Sequence, residues 1–596
     1  MKYLCMAIML FASPAFAYVV TLGPRGIDSQ ATGLDGTGIL IGQAEPGRSA
    51  KALYDTDPLK VASNTAPTGV YFTTGSTSVN NDIEDHATAV AGVMIARDQS
   101  LTGLPGDYSL WEGVAPNAQL HSASVGGSVS DTFAALTMNR LALLAGGTVR
   151  ATNLSFFRDL QTPIETFGNS HLTQFVDWSS RQHNLLYVVA WGNNTDAFGP
   201  RTPVDNYNGI TVGASQKPMN DDVWRQFGGI NSLDGFETDD SQDIEILAPG
   251  HDIRLLVGGD MEQIRNGTSL AAPHVTGAVA LLQQHSLLQM QMSNPRFTSR
   301  SQRHQVMKAV LLNSADKISG VHGSNRTAWD RSEMDWTVSE ANSPFVPLDD
   351  EMGAGLLNVR RAEQQLSTGE YSVGEFVPHI GWGYSSVSGV GSSTNFIFDV
   401  PLGTGYVAIT LVWDRRIEST GGTTYSSGDQ FFNSGVANLD LTLENSTGTI
   451  VYAESRSEDK NVEHIFFDLQ TAGASHIRIR HAVGDIGLPG AITDFGIAWW
   501  YGNVATPIPG DYNRNGSVGP EDYDVWKSNF GTTFADADGN GNGIVDAADY
   551  TVWRDNLGAG AGSGSLASVP EPSTVWLMLA GLACCASSRR RKSDRG

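Results

Sequence analysis

The stretch NGTSLAAPHVTGAVALL, residues 266–282, decides the fold because it joins a tight glycine turn to a helix built of small residues. We expect Gly267 and Thr268 to form the turn and Ser269 to begin the helix. Backbone N–H groups and the helix dipole at such a position stabilise negative charge that develops beside the serine. Pro273 is expected in the first turn, where its missing N–H is harmless. Five small residues would let the helix lie at the centre of a domain: Ala271, Ala272, Gly277, Ala278 and Ala280. The alternative is a serine N-cap on a buried helix.

A second segment, DHATAVAGVMIA at residues 85–96, begins another helix of small residues with His86 at its start. A serine hydroxyl is a poor nucleophile until a base removes its proton, and histidine titrates in the range where it can act as that base. A lone histidine is more often structural. The small-residue helix behind His86 and the Ser269 segment favour the catalytic interpretation.

A third segment, LLYVVAWGNN at residues 185–194, is a buried strand that runs into Gly192 and Asn193. A side-chain amide at such a strand end can join the backbone N–H of Ser269 in an oxyanion hole. Taken alone, the segment would be better explained as an asparagine-rich turn.

Short apolar strands alternate with helical stretches over residues 18–366, which predicts a mainly parallel sheet covered on both faces. The predicted strands are residues 39–43, 119–125, 151–156, 185–190 and 210–214. The predicted helices follow His86, Asp131, Ser269 and Ser301.

These segments together resemble the subtilisin-like serine proteases, the subtilases, over residues 18–366. Further ordered matches are GVAPNAQL (113–120), ATNLSF (151–156), ITVGAS (210–215), ILAPG (246–250), MKAVLLNSA (307–315) and GAGLLN (353–358). The resemblance implies an α/β peptidase domain and a secreted serine endopeptidase. It implies Ser269 as nucleophile, His86 as general base and Asn193 in the oxyanion hole.

The orienting acid departs from the family pattern. Family members carry an aspartate after the first strand, in a sequence like V-I-D-T-G, whereas this chain reads GILIGQAEPG with Glu45 as the carboxylate. We predict that Glu45 accepts the Nδ1–H of His86, holds its tautomer and stabilises the imidazolium. Because glutamate has one methylene more than aspartate, either the backbone must lie farther from His86 or the side chain must adopt a folded rotamer. Asp35 lies too early in the chain, Asp85 adjoins His86 and should point elsewhere, and Asp82 is a weaker alternative.

Two other departures concern the substrate cleft and folding. Phe156 and Phe157 follow Ser155, where the family has a small residue against which the substrate backbone lies; they would narrow or reshape the subsites. The segment between Ala17 and Glu45 is too short for the family's inhibitory folding domain. The catalytic domain is therefore expected to fold unaided or with help from another part of the chain.

Residues 370–502 read as strands only, separated by Gly, Ser, Asn and Asp, which predicts a β-sandwich. The predicted strands are residues 396–400, 406–413, 439–443, 450–453, 464–469, 477–481 and 495–500. YVAITLVWD and NLDLTL resemble the β-sandwich appended to many bacterial subtilases, which implies a role in stability or substrate approach.

Residues 507–558 contain a duplication, DYNRNGSVGPEDYDVWKSNFG followed 27 residues later by DGNGNGIVDAADYTVWRDNLG. It resembles the type I dockerin repeat, a small α-helical module that binds calcium through EF-hand-like loops. Oxygen ligands at this spacing suit a hard cation, with a solvated acidic loop as the alternative. The resemblance also implies a cohesin-like partner, although such repeats occur without one. The predicted calcium ligands are Asp511, Asn513, Asn515, Ser517 and Asp522 in the first loop, and Asp538, Asn540, Asn542, Ile544, Asp546 and Asp549 in the second.

Both ends of the chain look like processing signals. Residues 1–17 have one lysine, an apolar run and an A-x-A site, as in a signal peptide. Residues 569–592 combine VPEPS, an apolar run of 12 residues and RRRK, and resemble the PEP-CTERM sorting signal. That run is short for a permanent span of about 20 residues, so transient anchoring followed by cleavage is expected. The three cysteines, Cys5, Cys584 and Cys585, lie in these segments, so a thiol enzyme or a disulfide scaffold is excluded.

The formal net charge of −25 argues against nucleic acid or an anionic membrane surface as a partner, and it favours cation binding. An active endopeptidase therefore competes with a catalytically weak or inactive subtilase-like binding module of the cell surface, which Glu45 and the modular tail would suit. An esterase using the same triad is disfavoured because the chain lacks G-x-S-x-G.

Overall fold

The computed structural model of the protein describes most of the chain between residues 32 and 558. The described residues are 32–51, 55, 57, 59–63, 65–71, 83–97, 112–125, 136, 149–159, 168–193, 201–216, 225–226, 244–317, 344–349, 352–398, 406–426, 428–468, 475–481, 492–502, 510, 512, 518–531, 537, 539 and 545–558. Contacts divide the chain into two compact units, Met1–Val504 and Ala505–Gly596.

A large, mainly parallel sheet forms the frame of the first unit. The strands of this part are β1 Leu40–Glu45, β2 Gly69–Tyr71, β3 Gln119–Ser124, β4 Val149–Leu154, β5 Arg158–Asp159, β6 Leu186–Ala190, β7 Arg201–Thr202, β8 Ile210–Gln216, β9 Arg225–Gln226, β10 Ile246–Pro249, β11 Ile253–Val257 and β12 Met261–Arg265. The eight-stranded sheet has the order β10-β8-β6-β4-β1-β3-β2, with β9 on β8. Every pair in it is parallel except β8 with β9. Two further ribbons join β5 to β7 and β11 to β12.

Helices cover both faces of this sheet because the side chains of each strand alternate between them. The helices of the first unit are α1 Asp85–Ile95, α2 His171–His183, α3 Thr268–Gln291, α4 His304–Asn313 and α5 Val359–Ser367. Ile39 and Ile41 join one buried cluster with α1 and α3, while Leu40 joins another with α2. The predicted α/β class is confirmed. The helix predicted after Asp131 lies outside the described residues apart from Leu136.

Two four-stranded antiparallel sheets follow. Their strands, with a small ribbon of β16 and β17, are β13 Ile380–Ser388, β14 Ser393–Phe398, β15 Tyr406–Trp413, β16 Ile417–Ser419, β17 Phe431–Asn433, β18 Leu439–Asn445, β19 Val451–Ser455, β20 Val462–Asp468, β21 Ser475–His481 and β22 Ile492–Gly502. The sheets have the orders β13-β22-β15-β20 and β14-β21-β18-β19, and they enclose an apolar core of their own that includes Trp413 and Trp499. The predicted all-β sandwich is confirmed, but strand β13 was not predicted because its sequence, IGWGYSSVS, has two glycines and a serine pair.

The sandwich also completes the core of the α/β part. Trp382, Val412 and Ala498 belong to the same buried cluster as the helices α3 and α4. Ala408 and Trp500 belong to the cluster on the other side of the sheet. The two parts therefore share a continuous apolar interior.

Buried polar groups reinforce this junction. Arg415, 2% exposed, donates to the carbonyl of Gly168 at 2.8 Å and lies 3.4 Å from the carboxylate of Asp177. Burial raises the pKa of Asp177 to about 6, although Arg415 opposes the rise. At the start of α4, His304 Nε2 lies 2.8 Å from Asp414 Oδ1. Removing one partner of a buried pair of this kind costs about 3–5 kcal/mol.

The second unit contains two short helices, α6 Pro520–Asn529 and α7 Ala547–Asp555, one from each copy of the duplication. Each helix contributes a tryptophan that donates to a carbonyl of the other copy. Trp526 donates to Asp546 and Trp553 donates to Gly519, both at 2.8 Å. The copies therefore pack as equivalent halves around a small core with Tyr512, Ala537 and Val545.

Of the predicted calcium ligands, Asp522, Asp546 and Asp549 are among the described residues. Asp522 and Asp549 are fully buried, and each accepts the N–H three residues earlier at 2.7 Å, from Gly519 and Asp546 respectively. No cluster of three or more His, Cys, Asp or Glu that suits a metal ion occurs within the described ranges. The other predicted ligands lie outside those ranges: Asp511, Asn513, Asn515, Ser517, Asp538, Asn540, Asn542 and Ile544.

Candidate active site

Glu45 is the last residue of β1, at the carboxyl edge of the sheet where sites of parallel sheets collect. Its backbone is held in the sheet, since its carbonyl accepts the N–H of Val125 at 2.7 Å. The carboxylate is fully buried, and Oε2 lies 3.2 Å from Nδ1 of His86, the second residue of α1. The structure thus brings together the acid and the base predicted from positions 41 residues apart.

Burial and charge act on this pair in opposite directions. Burial raises the pKa of Glu45, and the His86 ring and the backbone N–H of Ser155 oppose that rise. Burial lowers the pKa of His86, but Glu45 and Glu84 outweigh it, so the pKa of His86 lies above its ordinary value. Neither carboxylate oxygen of Glu45 receives a well-aligned hydrogen bond from the described residues. The separation of 3.2 Å nevertheless leaves Nδ1 of His86 next to the carboxylate.

Gly267 forms the turn before the Ser269 helix with φ of 150°, a conformation that favours glycine. A Cβ atom there would lie 3.0 Å from Nδ2 of Asn193 and 3.2 Å from Oγ of Ser269. The amide and the hydroxyl consequently flank the same small space, and glycine keeps that space open.

Asn193 follows β6 and is oriented by Thr268, the residue before Ser269. Its Oδ1 accepts the backbone N–H of Thr268 at 2.8 Å and the hydroxyl of Thr268 at 3.0 Å. The Thr268 hydroxyl in turn accepts the N–H of Gly192 at 3.0 Å. The backbone N–H of Thr268 can donate only to the oxygen of the Asn193 amide, so this contact fixes which amide atom is Oδ1. The Nδ2 group therefore points away from Thr268 N–H and remains a donor.

The observed start of the Ser269 helix corrects the position predicted for Pro273. The helix begins at Thr268, so Pro273 is its sixth residue and lies beyond the first turn. Pro273 has no N–H to donate to the carbonyl of Ser269, four residues earlier. The hydroxyl of Ser155 donates to that carbonyl instead, at 2.8 Å, while Asn153 donates to the Ser155 hydroxyl at 2.9 Å. Pro273 thereby allows the end of β4 to hold the main chain of the serine.

Comparison with known proteins assigns the chain to a family. The model of the subtilase family matches residues 36–333, which is half of the chain. This protein belongs to the subtilase family. The PEP-CTERM protein-sorting motif also matches, at residues 568–592, so the chain is exported to the cell surface or the extracellular space.

Named relatives match the subtilase part. Subtilisin DY of Bacillus licheniformis is 30% identical over 257 residues, which cover 42% of this chain and 79% of the relative. Alkaline elastase YaB of Bacillus sp. (strain YaB) is 27% identical over 286 residues, 46% of this chain; the chain spans 65% of the elastase, just under two thirds of its length. A psychrophilic protease of known structure is 21% identical with a TM-score of 0.37, covering 55% of this chain and 92% of its own.

Two of the other acidic residues weighed from the sequence, Asp35 and Asp85, have contacts away from the His86 ring of this subtilase. Asp35 accepts from Thr37 at 2.8 Å and from Asn117 at 2.8 Å, in the turn before β1. Asp85 Oδ1 lies beside Gly258, 3.0 Å from where a Cβ of that residue would be. Asp82 lies outside the described residues.

Phe157 lies beside Gly192, the residue before Asn193. The guanidinium of Arg201 lies 4.3 Å above its ring. The same guanidinium contacts Gly192, since a Cβ there would lie 2.6 Å from Nη1. Phe156 is buried. The aromatic pair thus fills space at the carboxyl ends of β4 and β6 in this subtilase.

Two residues that shape the site, Thr268 and Glu84, have contacts that the sequence did not predict. Thr268 stands directly before the predicted nucleophile, so its position in GTS was a usable signal. Glu84 stands two residues before His86, and its contact is with Gly47, 37 positions away, which no local pattern reveals.

Proposed function

We propose that this subtilase is a serine endopeptidase that hydrolyses peptide bonds through an acyl-enzyme on Ser269. The observation that carries the proposal is the 3.2 Å contact between the buried Glu45 carboxylate and Nδ1 of His86. A carboxylate at this nitrogen leaves the other ring nitrogen as the acceptor for a serine proton. A binding module without catalysis would have no need to bury a charged group at this position.

Each residue then has a role in the reaction. Oγ of Ser269 attacks the scissile carbonyl, and His86 takes its proton and later delivers it to the leaving amine. Glu45 holds the ring and stabilises the imidazolium that forms. Nδ2 of Asn193 donates to the oxyanion of the tetrahedral intermediate, and the Thr268 network keeps that amide in place.

The test is labelling with a fluorophosphonate, which reacts with an activated serine, together with casein hydrolysis. Wild-type protein should be labelled once and should cleave casein, whereas Ser269→Ala should do neither while keeping its melting temperature. Ser299→Ala, an exposed residue on the short turn before α4, is the matched control and should behave as wild type. Undiminished proteolysis in Ser269→Ala would refute the assignment, and an unlabelled, inactive wild type would favour the binding module.

We also propose that the second unit holds calcium in its two acidic loops. The support is the pair Asp522 and Asp549, both fully buried at equivalent positions and each using Oδ2 in the bond to its helix start. Calcium takes oxygen ligands, carboxylates among them, and Asp522 and Asp549 stand at the last ligand position of the two loops. Neither the comparisons nor the described residues support the cohesin-like partner that the resemblance implied.

Calorimetry on full-length Ser269→Ala protein stripped of metal should show about two calcium ions bound. Asp549→Asn should remove one of them, while Asp555→Asn, an exposed residue of the same helix, should leave both. Absence of heat with the stripped protein, or equal loss in both variants, would reject the proposal.

A further inference from the structure

Two hydrogen bonds of opposite direction join the loop after β1 to the start of α1. The N–H of Gly47 donates to Oε2 of Glu84 at 3.1 Å, and the N–H of Glu84 donates to the carbonyl of Arg48 at 3.0 Å. Gly47 lies two residues after Glu45, and Glu84 lies two residues before His86. We call this pair of hydrogen bonds the loop clamp.

Glu84 occupies the N-cap of α1 without capping it. Its backbone is extended, with φ of −132°, but its side chain accepts no hydrogen bond from its own helix. Residues at this position usually use a short side chain to accept such a bond. The longer side chain of Glu84 accepts the N–H of Gly47 instead. Glu84 therefore links the start of α1 to the loop that follows Glu45 and does not cap the helix.

The loop side of the clamp is itself fixed. Arg48 is fully buried, and its guanidinium donates to both oxygens of Asp55, at 2.9 and 2.8 Å. The next residue, Ser49, donates its N–H to the hydroxyl of Ser122 on β3 at 2.9 Å. Because the Arg48 carbonyl is anchored in this way, a bond to it fixes the position of Glu84 relative to the sheet.

We propose that Glu84 is a positioning residue which, through the loop clamp, sets the distance between the end of β1 and His86 to the reach of a glutamate at position 45. The proposal rests on the endopeptidase function proposed above. The backbone of Glu45 is fixed by its pairing with β3, so the extra methylene of a glutamate has to be accommodated on the helix side. The clamp is the described contact that joins the residues flanking both members of the pair.

Substitutions can separate two properties of Glu84: the oxygen that accepts the Gly47 N–H and the negative charge. The charged groups that act on His86 are Glu45 and Glu84, which raise its pKa, and Arg265, which lowers it. Glu84→Gln keeps an oxygen for the Gly47 N–H but removes the charge. Glu84→Ala removes both. Glu262→Ala, an exposed carboxylate on β12, is the matched control.

Steady-state kinetics on a peptide anilide across pH, with melting temperatures, give the readouts. Glu84→Ala should lower kcat about tenfold with KM within about twofold, because a base displaced by a fraction of an ångström loses rate rather than binding. Glu84→Gln should restore most of that kcat on the alkaline plateau. Its acid limb should move to lower pH, since a charge that raises the pKa of His86 is gone. Glu262→Ala should change none of these values.

Three results would overturn the proposal. Equal losses of kcat in Glu84→Gln and Glu84→Ala would assign the effect to charge alone, and wild-type kcat in Glu84→Ala would leave no positioning role. The effects of Glu84→Ala and Glu45→Asp should also be non-additive, because both change the same distance; independent effects would contradict the link to Glu45. Failure of the endopeptidase proposal is distinguishable, since wild type would then be inactive in every assay.

Discussion

The two sides of Ser269 are built in different ways. On the acid side, a charged carboxylate without well-aligned hydrogen bonds from the described residues lies against His86. On the oxyanion side, Asn193 and Thr268 are neutral and linked by hydrogen bonds of 2.8 and 3.0 Å. A charged contact in a buried site depends on the charge itself, whereas a neutral network depends on shape. Activity should therefore fall when Glu45 loses its charge but keeps its shape. On the oxyanion side, activity should fall when Asn193 loses its N–H donor or when Thr268 no longer holds that amide in place.

The largest effect is expected at Glu45. Glu45→Gln keeps the shape but removes the charge that holds the His86 tautomer, so kcat should fall by about 10⁴ with little change in KM. Glu45→Asp should retain partial activity, because the charge remains while its reach shortens. Steady-state kinetics on a peptide anilide measure both. Asp85→Asn is the control and should be mild; near wild-type activity in Glu45→Gln would mean that another carboxylate orients the ring.

A smaller loss is expected on the other side, at Asn193. Asn193→Ala removes a donor aimed at the oxyanion and should lower kcat by about 10²–10³, with KM nearly unchanged. Nothing charged is lost, so the acid limb of the pH profile, which reports the raised pKa of His86, should stay in place. An increase in KM with unchanged kcat would place Asn193 in substrate binding. A shift of the acid limb would show that Asn193 also acts on the pKa of His86, so the two sides would not differ as described.

The smallest effect is expected at Thr268, which supports Asn193 without reaching the oxyanion. Thr268→Val removes the hydroxyl that bonds Gly192 and Asn193 but keeps the backbone N–H that also orients the amide. We expect kcat to fall about tenfold, because the amide of Asn193 loses one of the two hydrogen bonds that it accepts from Thr268. Thr268→Ser should recover wild-type kcat. If Thr268→Val lowered kcat as much as Asn193→Ala, the Thr268 hydroxyl would be essential for orienting the Asn193 amide.

Ser269, His86 and Glu45 could be proposed from the sequence because each stands in a short segment whose local structure depends on neighbouring residues. Ser269 follows a glycine turn, His86 begins a helix of small residues, and Glu45 ends an apolar strand. The parallel sheet followed from the alternation of strands and helices. These features depend on contacts within a few residues, which a single sequence displays.

What could not be predicted depends on contacts between distant parts of the chain. The Ser155 hydroxyl donates to the Ser269 carbonyl across 114 positions, and this is the carbonyl to which Pro273 has no N–H to donate. The loop clamp joins Gly47 to Glu84, and the glycine-rich strand β13 is a strand because β22 pairs with it along nine residues. In each case the partner, rather than the local sequence, determines the structure.

The shared interior of the two parts has a consequence for when activity first arises. Ribosomes and export machinery release a chain from its amino end, and domains fold as their residues emerge. Here Ser269 emerges long before Ala498 and Trp500, which close the clusters that surround its sheet. A chain still in transit therefore has all of its reactive groups but not the interior that holds them together. On the proposed function, proteolytic activity would therefore arise only after Trp500 has emerged and these clusters can close.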